Sequence, residues 1–347
     1  MDSEPPPRRV SLRDIAKMMG VSHVTISLGL RNSPEISAKM KAEIQRVAAE
    51  LGYRPDPMLN ALSSYRQSKG NPAFQAVIGW VNAWKKPAEL RGHEEFDAYW
   101  KGANSAAQKL GYRLEEFQVD KQITFPRLHQ ILSSRGIRSL LLPPHHELPQ
   151  WGDFPWDKYY VVKFGRSLRE PQTHLVTSDQ ALNTVLAFEK IEALGYRRIG
   201  FVTQEPYLRK HGHMFEAGFL VAQQALEPKQ RLPILALVDM KPAEAVAPLT
   251  AWIKKQRPDA IYTDVPWILE VIDNAGFRVP EDFSLAATTL IDTGIDSGID
   301  QHPTEIGRVG MLLLNSMIND NAIGTPSIFQ QILIKGSWVS GTSMPAR

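Results

Sequence analysis

The sequence of 347 residues contains no cysteine. That absence excludes disulfides, thiolate metal sites and a cysteine nucleophile, although it does not by itself fix the compartment. Long apolar runs are missing too. Nothing approaches the roughly 18 apolar residues of a spanning helix, and the proline-rich start MDSEPPPRRV lacks the apolar centre of a signal peptide. No membrane association and a cytoplasmic location are therefore expected. Catalytic fingerprints are equally scarce: there is no Gly-x-Ser-x-Gly, no P-loop and no Gly-x-Gly-x-x-Gly. His145-His146 and His211-Gly212-His213 invite a metal reading, yet no carboxylate pairs with them at ligand spacing, so neither metal nor cofactor is expected. Asp292-Thr293-Gly294 and Asp296-Ser297-Gly298 echo the aspartic-protease tripeptide. Two aspartates sharing a proton must come from two lobes or two subunits, and these stand four residues apart in one Gly-rich loop. They read as loop residues without catalytic duty.

What is present is an ordinary globular composition, 43% apolar and 22% charged, at a length that suits two or three domains. The net charge of +3 is unevenly spread. Residues 8–69 hold 11 Lys/Arg against 5 Asp/Glu, whereas residues 70–347 hold 29 against 30. A local cationic excess suits a polyanionic partner, because neutralising phosphates releases counterions; a solvated surface would show the same excess.

The excess coincides with VSLRDIAKMMGVSHVTISLGLR, Val10 to Arg31. Ser11 and Asp14 form a capping-box start, and Leu12, Ile15, Ala16 and Met19 follow at one-face helical spacing. Gly20 ends that helix. Ser22 caps a second, in which Ile26 and Leu30 point inward while His23, Val24, Ser27 and Leu28 point outward. Two short helices joined by a glycine turn make a helix-turn-helix; an ordinary helical hairpin has the same spacing. In the motif the second helix enters the major groove by its N-terminal end, so Ser22, His23, Val24, Thr25, Ser27 and Leu28 are the candidate base-reading residues. Ser37 caps a third helix with the stripe Ile44, Val47, Ala48 and Leu51, closed by Gly52. Asp56-Pro57 then presets a short helix, PMLNALSSYR, and Ser68 to Pro72 reads as a linker.

From Ala76 strand-like and helix-like segments alternate. Strands are expected at 76–81, 113–117, 139–143, 159–164, 199–203, 234–238, 259–263 and 283–289. Between them helices are expected at 94–110, 125–133, 179–194, 215–224, 243–256 and 267–274. A helix at 305–318 and a last strand at Ile332 to Trp338 finish the fold. Such alternation means a doubly wound parallel α/β architecture. The phrases KLGYRLEEF and ALGYRRIGF repeat nearly the same words, which suggests two similar lobes.

The order VSLRDIAKMMGVSHVTIS, then SAKMKAEIQRVAAELGYRPDP, resembles the headpiece of the lactose/galactose repressor family of bacterial transcription regulators. Val176-Thr177-Ser178-Asp179, ALGYRRIGFV, AGFRVPEDFSL, Gln301 with Ile306-Gly307, and KGSW resemble its core, which is similar to periplasmic binding proteins. The resemblance implies a DNA-binding headpiece at 8–55, a hinge helix and linker at 56–72, and a two-lobed effector-binding and dimerisation core at 73–347. Its N-lobe would span about 73–175 and its C-lobe about 176–300, with the C-terminal segment crossing back. It further implies a repressor, acting as a homodimer on a pseudo-palindromic double-stranded DNA operator and controlled by a small-molecule, carbohydrate-related effector. In the family a leucine of the hinge helix wedges into the minor groove; here that is Leu62, with Leu59 and Asn60 beside it. A linker helix packing Met58, Leu59 and Leu62 on the core is the other reading.

The sequence also departs from the family. Leu28 stands where many relatives carry arginine, which removes a long donor for guanine. His23 and Val24 then become the readers, the first by hydrogen bonding and the second through a thymine methyl, unless they merely cover backbone. In the core, Phe215 stands where sugar-binding members carry arginine, and Ala287-Thr288-Thr289 replaces Gly-x-Asp. An effector pocket of Trp84, Phe215, Asp264, Trp267 and Thr289 fits the cleft between two α/β lobes, at strand carboxyl ends. The aromatics among them also suit an ordinary core. The remaining alternatives are a sugar-modifying enzyme fused to a DNA-binding domain, and a periplasmic solute-binding protein, which would need an export signal and no headpiece. The chain is not expected to be an enzyme.

Overall fold

The computed structural model describes residues 10–30, 36–53, 76–204, 212–237 and 239–347. Its first unit is helical: α1 (Leu12–Met19), α2 (His23–Leu30) and α3 (Ala38–Glu50). The capping box at α1 is formed, with Ser11 Oγ accepting from the Asp14 N–H and Asp14 Oδ2 accepting from the Ser11 N–H at 2.8 Å. Gly20 takes a φ of 66°, a left-handed conformation that ends α1 without a Cβ penalty. Ile15, Ala16, Ile26, Ile44, Val47 and Ala48 form the core of this unit. A residue the inward/outward pattern passed over, Gly29, is buried as well. A Cβ there would run into Ile44, so the absent side chain is what lets α2 lie against α3.

The remainder forms two sheets. The first consists of β1 (Ala76–Asn82), β2 (Tyr112–Gln118), β3 (Ser139–Leu142), β4 (Tyr160–Phe164), β5 (His174–Ser178) and β11 (Gln331–Ile334), in the order β2-β1-β3-β4-β5-β11, all parallel. The second consists of β6 (Ile199–Gln204), β7 (Leu235–Leu237), β8 (Ala260–Thr263), β9 (Ser284–Ala287), β10 (Gly298–Asp300) and β12 (Ser337–Val339), in the order β7-β6-β8-β9-β10-β12 with only β12 antiparallel. Continuous apolar strands such as SLLL and YVVKF are buried along their whole length because helices cover both faces.

Those helices are α4 (Pro87–Gly92), α5 (Glu94–Lys109), α6 (Phe125–Ser134), α7 (Gln180–Ala193), α8 (Met214–Gln223), α9 (Pro242–Gln256), α10 (Ile268–Asn274) and α11 (Pro303–Asn319). Among the described residues no helix is long and apolar enough to cross a membrane. α11 returns to the first lobe and packs on α5, where Gly102 and Gly307 each sit so close to backbone of the other helix that neither site has room for a Cβ.

Three expectations need correction. The single last strand at Ile332 to Trp338 is two strands in two different sheets. The chain passes between the lobes at Lys335-Gly336, where Gly336 presses against Asp300 and its N–H bonds Asn183 Oδ1 at 2.7 Å. The segment His174–Ser178, whose end Val176-Thr177-Ser178 reads from sequence only as a phrase before a helix, is a fully buried strand of the first sheet. The loop of the two Asp-x-Gly tripeptides ends in the short strand β10, which periodicity cannot register at three residues.

Candidate functional sites

The headpiece offers the N-terminal end of α2. Ser22 Oγ accepts from the Thr25 N–H at 3.0 Å, and the two hydroxyls lie 2.9 Å apart, so both side chains take part in the cap. Ser22, His23 and Val24 are exposed, Val24 by 52%. An exposed valine beside an exposed histidine at a helix N-terminus is a surface that an isolated hairpin gains nothing from. Thr25, Ser27 and Leu28 are half-buried. The candidate minor-groove residues Leu59, Asn60 and Leu62 lie outside the described residues.

The second site is the cleft between the sheets, a cavity with about 750 Å³ of space including its open mouth. It lies at strand carboxyl ends, as doubly wound folds dictate. From the first lobe come His145 and His146 after β3, Arg166 and Ser167 after β4, and Glu95, Phe96 and Tyr99 on the first turns of α5. From the second come Asp264 after β8, Thr289 after β9, and Phe215 on α8.

Three of the five expected effector residues, Phe215, Asp264 and Thr289, therefore meet in this cavity. The other two do not line it. Trp84 is buried one layer behind: its Nε1 donates to the Pro144 carbonyl at 2.9 Å and its ring packs 4.1 Å from that of His146, so it braces the wall. Trp267 caps α10 and packs against the second lobe's core. In both cases an indole satisfied by core packing is the physical reason.

Several lining groups carry altered acidities. Burial pushes the Asp264 carboxyl up to about 7, although Thr203 Oγ1 (2.8 Å) and the Gln204 N–H (3.3 Å) donate to it. Glu95 is likewise raised to about 7 by lost hydration, with the charge of Asp292 adding to the effect and the Tyr99 hydroxyl, 3.3 Å away, opposing it. His145 is lowered to about 4 by burial. Its Nε2 accepts from the Ala83 N–H at 3.0 Å and its Nδ1 lies 2.7 Å from the Pro143 carbonyl, which makes it a neutral Nδ1–H structural brace. Among the described residues no cluster of three or more His, Asp or Glu could hold a metal ion.

Arg166, Glu95 and His146 were missed from sequence. Arg166 had a signal, since Gly165-Arg166 directly follows the apolar strand YYVVKF and strand ends build such clefts. Nothing in EEFDAYW marked Glu95 as facing a cavity.

The Asp-x-Gly residues have structural work instead of catalysis. Asp296 accepts from the N–H groups of Thr342 (2.7 Å) and Ser343 (2.8 Å) and from Thr342 Oγ1 (2.7 Å), and these bonds hold its carboxyl well below the usual range. Asp292 accepts from the Glu94 N–H across the cleft mouth.

Comparison with known proteins agrees with this organisation. Residues 11–56 match the bacterial regulatory proteins of the lacI family, and residues 188–343 match the periplasmic binding protein-like domain. The regulator of the NTD biosynthesis operon, NtdR of Bacillus subtilis, is 25% identical over 90% of this chain and 94% of its own length. The HTH-type transcriptional regulator PtxS of Pseudomonas plecoglossicida is 29% identical, but the match spans only about half of each, 56% of this chain and 54% of PtxS. In fold, the CelR–cellobiose complex superposes with a TM-score of 0.56 at 18% identity, covering 96% of this chain and all of CelR. The lac repressor dimer bound to operator and the anti-inducer ONPF gives a TM-score of 0.53 at 17% identity, covering 98% of this chain and all of that one. The chain thus joins a headpiece of the lacI family type to a periplasmic binding protein-like core, in that order along the sequence.

Proposed function

We propose that this chain is a sequence-specific DNA-binding transcriptional repressor of the cytoplasm, controlled by a small-molecule, carbohydrate-related effector bound between the lobes of its core. The observation that carries the reading is the joining of two sites in one chain: an exposed α2 N-terminus on a cationic headpiece, and a cavity at strand carboxyl ends. Neither site alone makes a regulator. Together they supply an output surface and an input surface. Support also comes from the relatives, which are regulators and not enzymes by name, and from the sugar in the CelR complex.

On this reading the domains are a headpiece at 8–55, a hinge and linker at 56–72 and a core at 73–347. The active species is a homodimer that sets two headpieces on the half-sites of a pseudo-palindromic operator. Ser22, His23, Val24, Thr25, Ser27 and Leu28 face the major groove, and Leu62, with Leu59 and Asn60, acts in the minor groove, where an apolar wedge kinks a base step. Phe215, Asp264 and Thr289 touch the effector.

The test is selection of duplexes from a random library by the full-length protein, followed by titration of the selected and a scrambled duplex over a range of salt. A palindromic preference and an affinity that falls steeply with salt are expected. Enrichment of no sequence, or an affinity independent of salt, would overturn the reading.

A further inference from the structure

The loop that follows β4 is fastened with unusual care. Lys163, buried at the end of that strand, donates from Nζ to the carbonyls of Leu168 and Pro171, both at 3.0 Å. Ser167 Oγ accepts from the His145 N–H at 2.9 Å. The residue these bonds position is Arg166, which lines the interlobe cavity. Its Nη1 donates to Gln331 Oε1 at 3.0 Å. Its Nε is buried and has no hydrogen-bond partner, and Asp179 is the carboxylate whose charge acts on the guanidinium. Arg166 as a whole is half-buried, but a buried guanidinium N–H left without an acceptor is costly, so it implies an acceptor that arrives with something else.

Resting on the effector reading of the cleft, we propose that the effector is a carboxylate-bearing polyol, a sugar acid, whose carboxylate is held by the free Nε edge of Arg166. A planar guanidinium edge and a carboxylate match two bonds to two acceptors. Phe96 and Phe215 line the cavity and add apolar surface to its wall for the C–H groups of the polyol. The cavity's own acids do not compete for Arg166. Asp264 already accepts from Thr203 and Gln204 and Glu95 from Tyr99, and burial keeps both partly neutral near pH 7. An ammonium ligand would need those two carboxylates charged, whereas an anion is favoured by their neutral forms.

The experiment is calorimetric titration of the full chain at pH 6.5 with five probes: D-glucuronate, D-gluconate, D-glucose, D-glucosamine and D-glucose 6-phosphate. Wild type, Arg166→Met and Arg166→Lys are compared, each with its unliganded melting temperature measured. At least one of the two acids is expected to bind roughly 10- to 100-fold more tightly than glucose, and Arg166→Met to erase that difference. Arg166→Lys, which keeps the charge but lacks the fork, is expected to recover only part of it, and it carries the test if Arg166→Met does not fold. Tighter binding of glucose or glucosamine, indifferent to Arg166, would overturn the inference and leave the effector cleft standing. Tighter binding of the phosphate would replace the carboxylate with a phosphoryl group. Binding of none of the five would overturn the inference and count against the cleft as a sugar-effector site.

Discussion

Asp292 of the second lobe accepts the backbone N–H of Glu94, the first residue of α5 in the first lobe, at 3.2 Å. The first N–H groups of a helix have no partner within it, and the positive end of the helix favours a carboxylate. The contact spans the mouth of the cavity, so it exists only while the lobes are close. Asp292→Ala should therefore weaken effector affinity by roughly twofold to fivefold, the usual range for a charge at a helix terminus. Asp292→Asn, which keeps an acceptor, should lose less. Titration of effector against both variants checks this, and unchanged affinity in both would mean that other contacts hold the lobes together.

The pH dependence of stability has a sign that can be worked out. Glu95 and Asp264 are both raised to about 7 in the folded protein. Between the ordinary carboxyl range and pH 7 the native state thus binds more protons than the unfolded state. Stability from this pair is full at low pH and is lost as pH rises through about 7. His145 acts in the opposite direction at lower pH: its folded value of about 4 means its contribution grows as pH rises toward 6.5. The melting temperature of the unliganded protein should accordingly fall as pH rises toward about 7, most steeply above 6.5 where His145 no longer offsets the loss, and level off beyond it. The double variant Glu95→Gln, Asp264→Asn should flatten that fall by a few degrees, ~2–5 °C. Identical slopes in variant and wild type would assign the effect to other groups.

The sequence made elements legible where local rules agreed with tertiary need. Ser11 with Asp14, and Gly20 at a left-handed position, announced α1 because caps are local chemistry. The alternation of the core was readable because buried parallel strands are continuous apolar runs. Failures came where distant partners decided. Ile332 to Trp338 reads as one strand, yet Gly336 must meet Asn183 and Asp300 to send its two halves to different sheets. Asp296 looked idle until its partners, Thr342 and Ser343, proved to lie some 46 residues further along. The cleft was legible in position and only partly in content. Strand ends located Asp264 and Thr289, while Trp84 and Trp267 have the same aromatic signature whether they face a ligand or a core.

At the headpiece, His23 and Val24 are exposed and neither is a lysine or arginine. Replacing either by alanine should cost specific binding roughly tenfold while leaving nonspecific binding nearly intact, because base contacts discriminate sequences and cationic contacts to phosphate do not. The slope of affinity against salt should also stay unchanged, as no phosphate-neutralising charge is removed. Parallel titrations on selected and scrambled duplexes measure both quantities. Equal losses on both duplexes would show these side chains to be structural.

Gly29 tests whether the helix crossing in the headpiece is as tight as its geometry says. A Gly→Ala change inside an exposed helix normally stabilises by about 1 kcal/mol, because glycine loses more backbone freedom on folding. Here the new methyl would collide with Ile44, which is fully buried between α2 and α3. Overpacking of that kind costs about 1–3 kcal/mol. The balance should come out as a net destabilisation of up to ~2 kcal/mol, opposite in sign to the propensity rule. Ile44→Val removes a methyl from the crowded side chain and alone should cost about 0.5–1.5 kcal/mol by leaving a gap. Combined, the two changes should cost less than the sum of the singles, since the methyl added at residue 29 occupies space vacated at residue 44. Thermal unfolding of the four headpieces within the full chain, followed by loss of operator binding with temperature, measures the cycle. Strict additivity would mean that α2 and α3 are further apart than the absent Cβ implies, and stabilisation by Gly29→Ala alone would mean that the helix gains more than the packing loses.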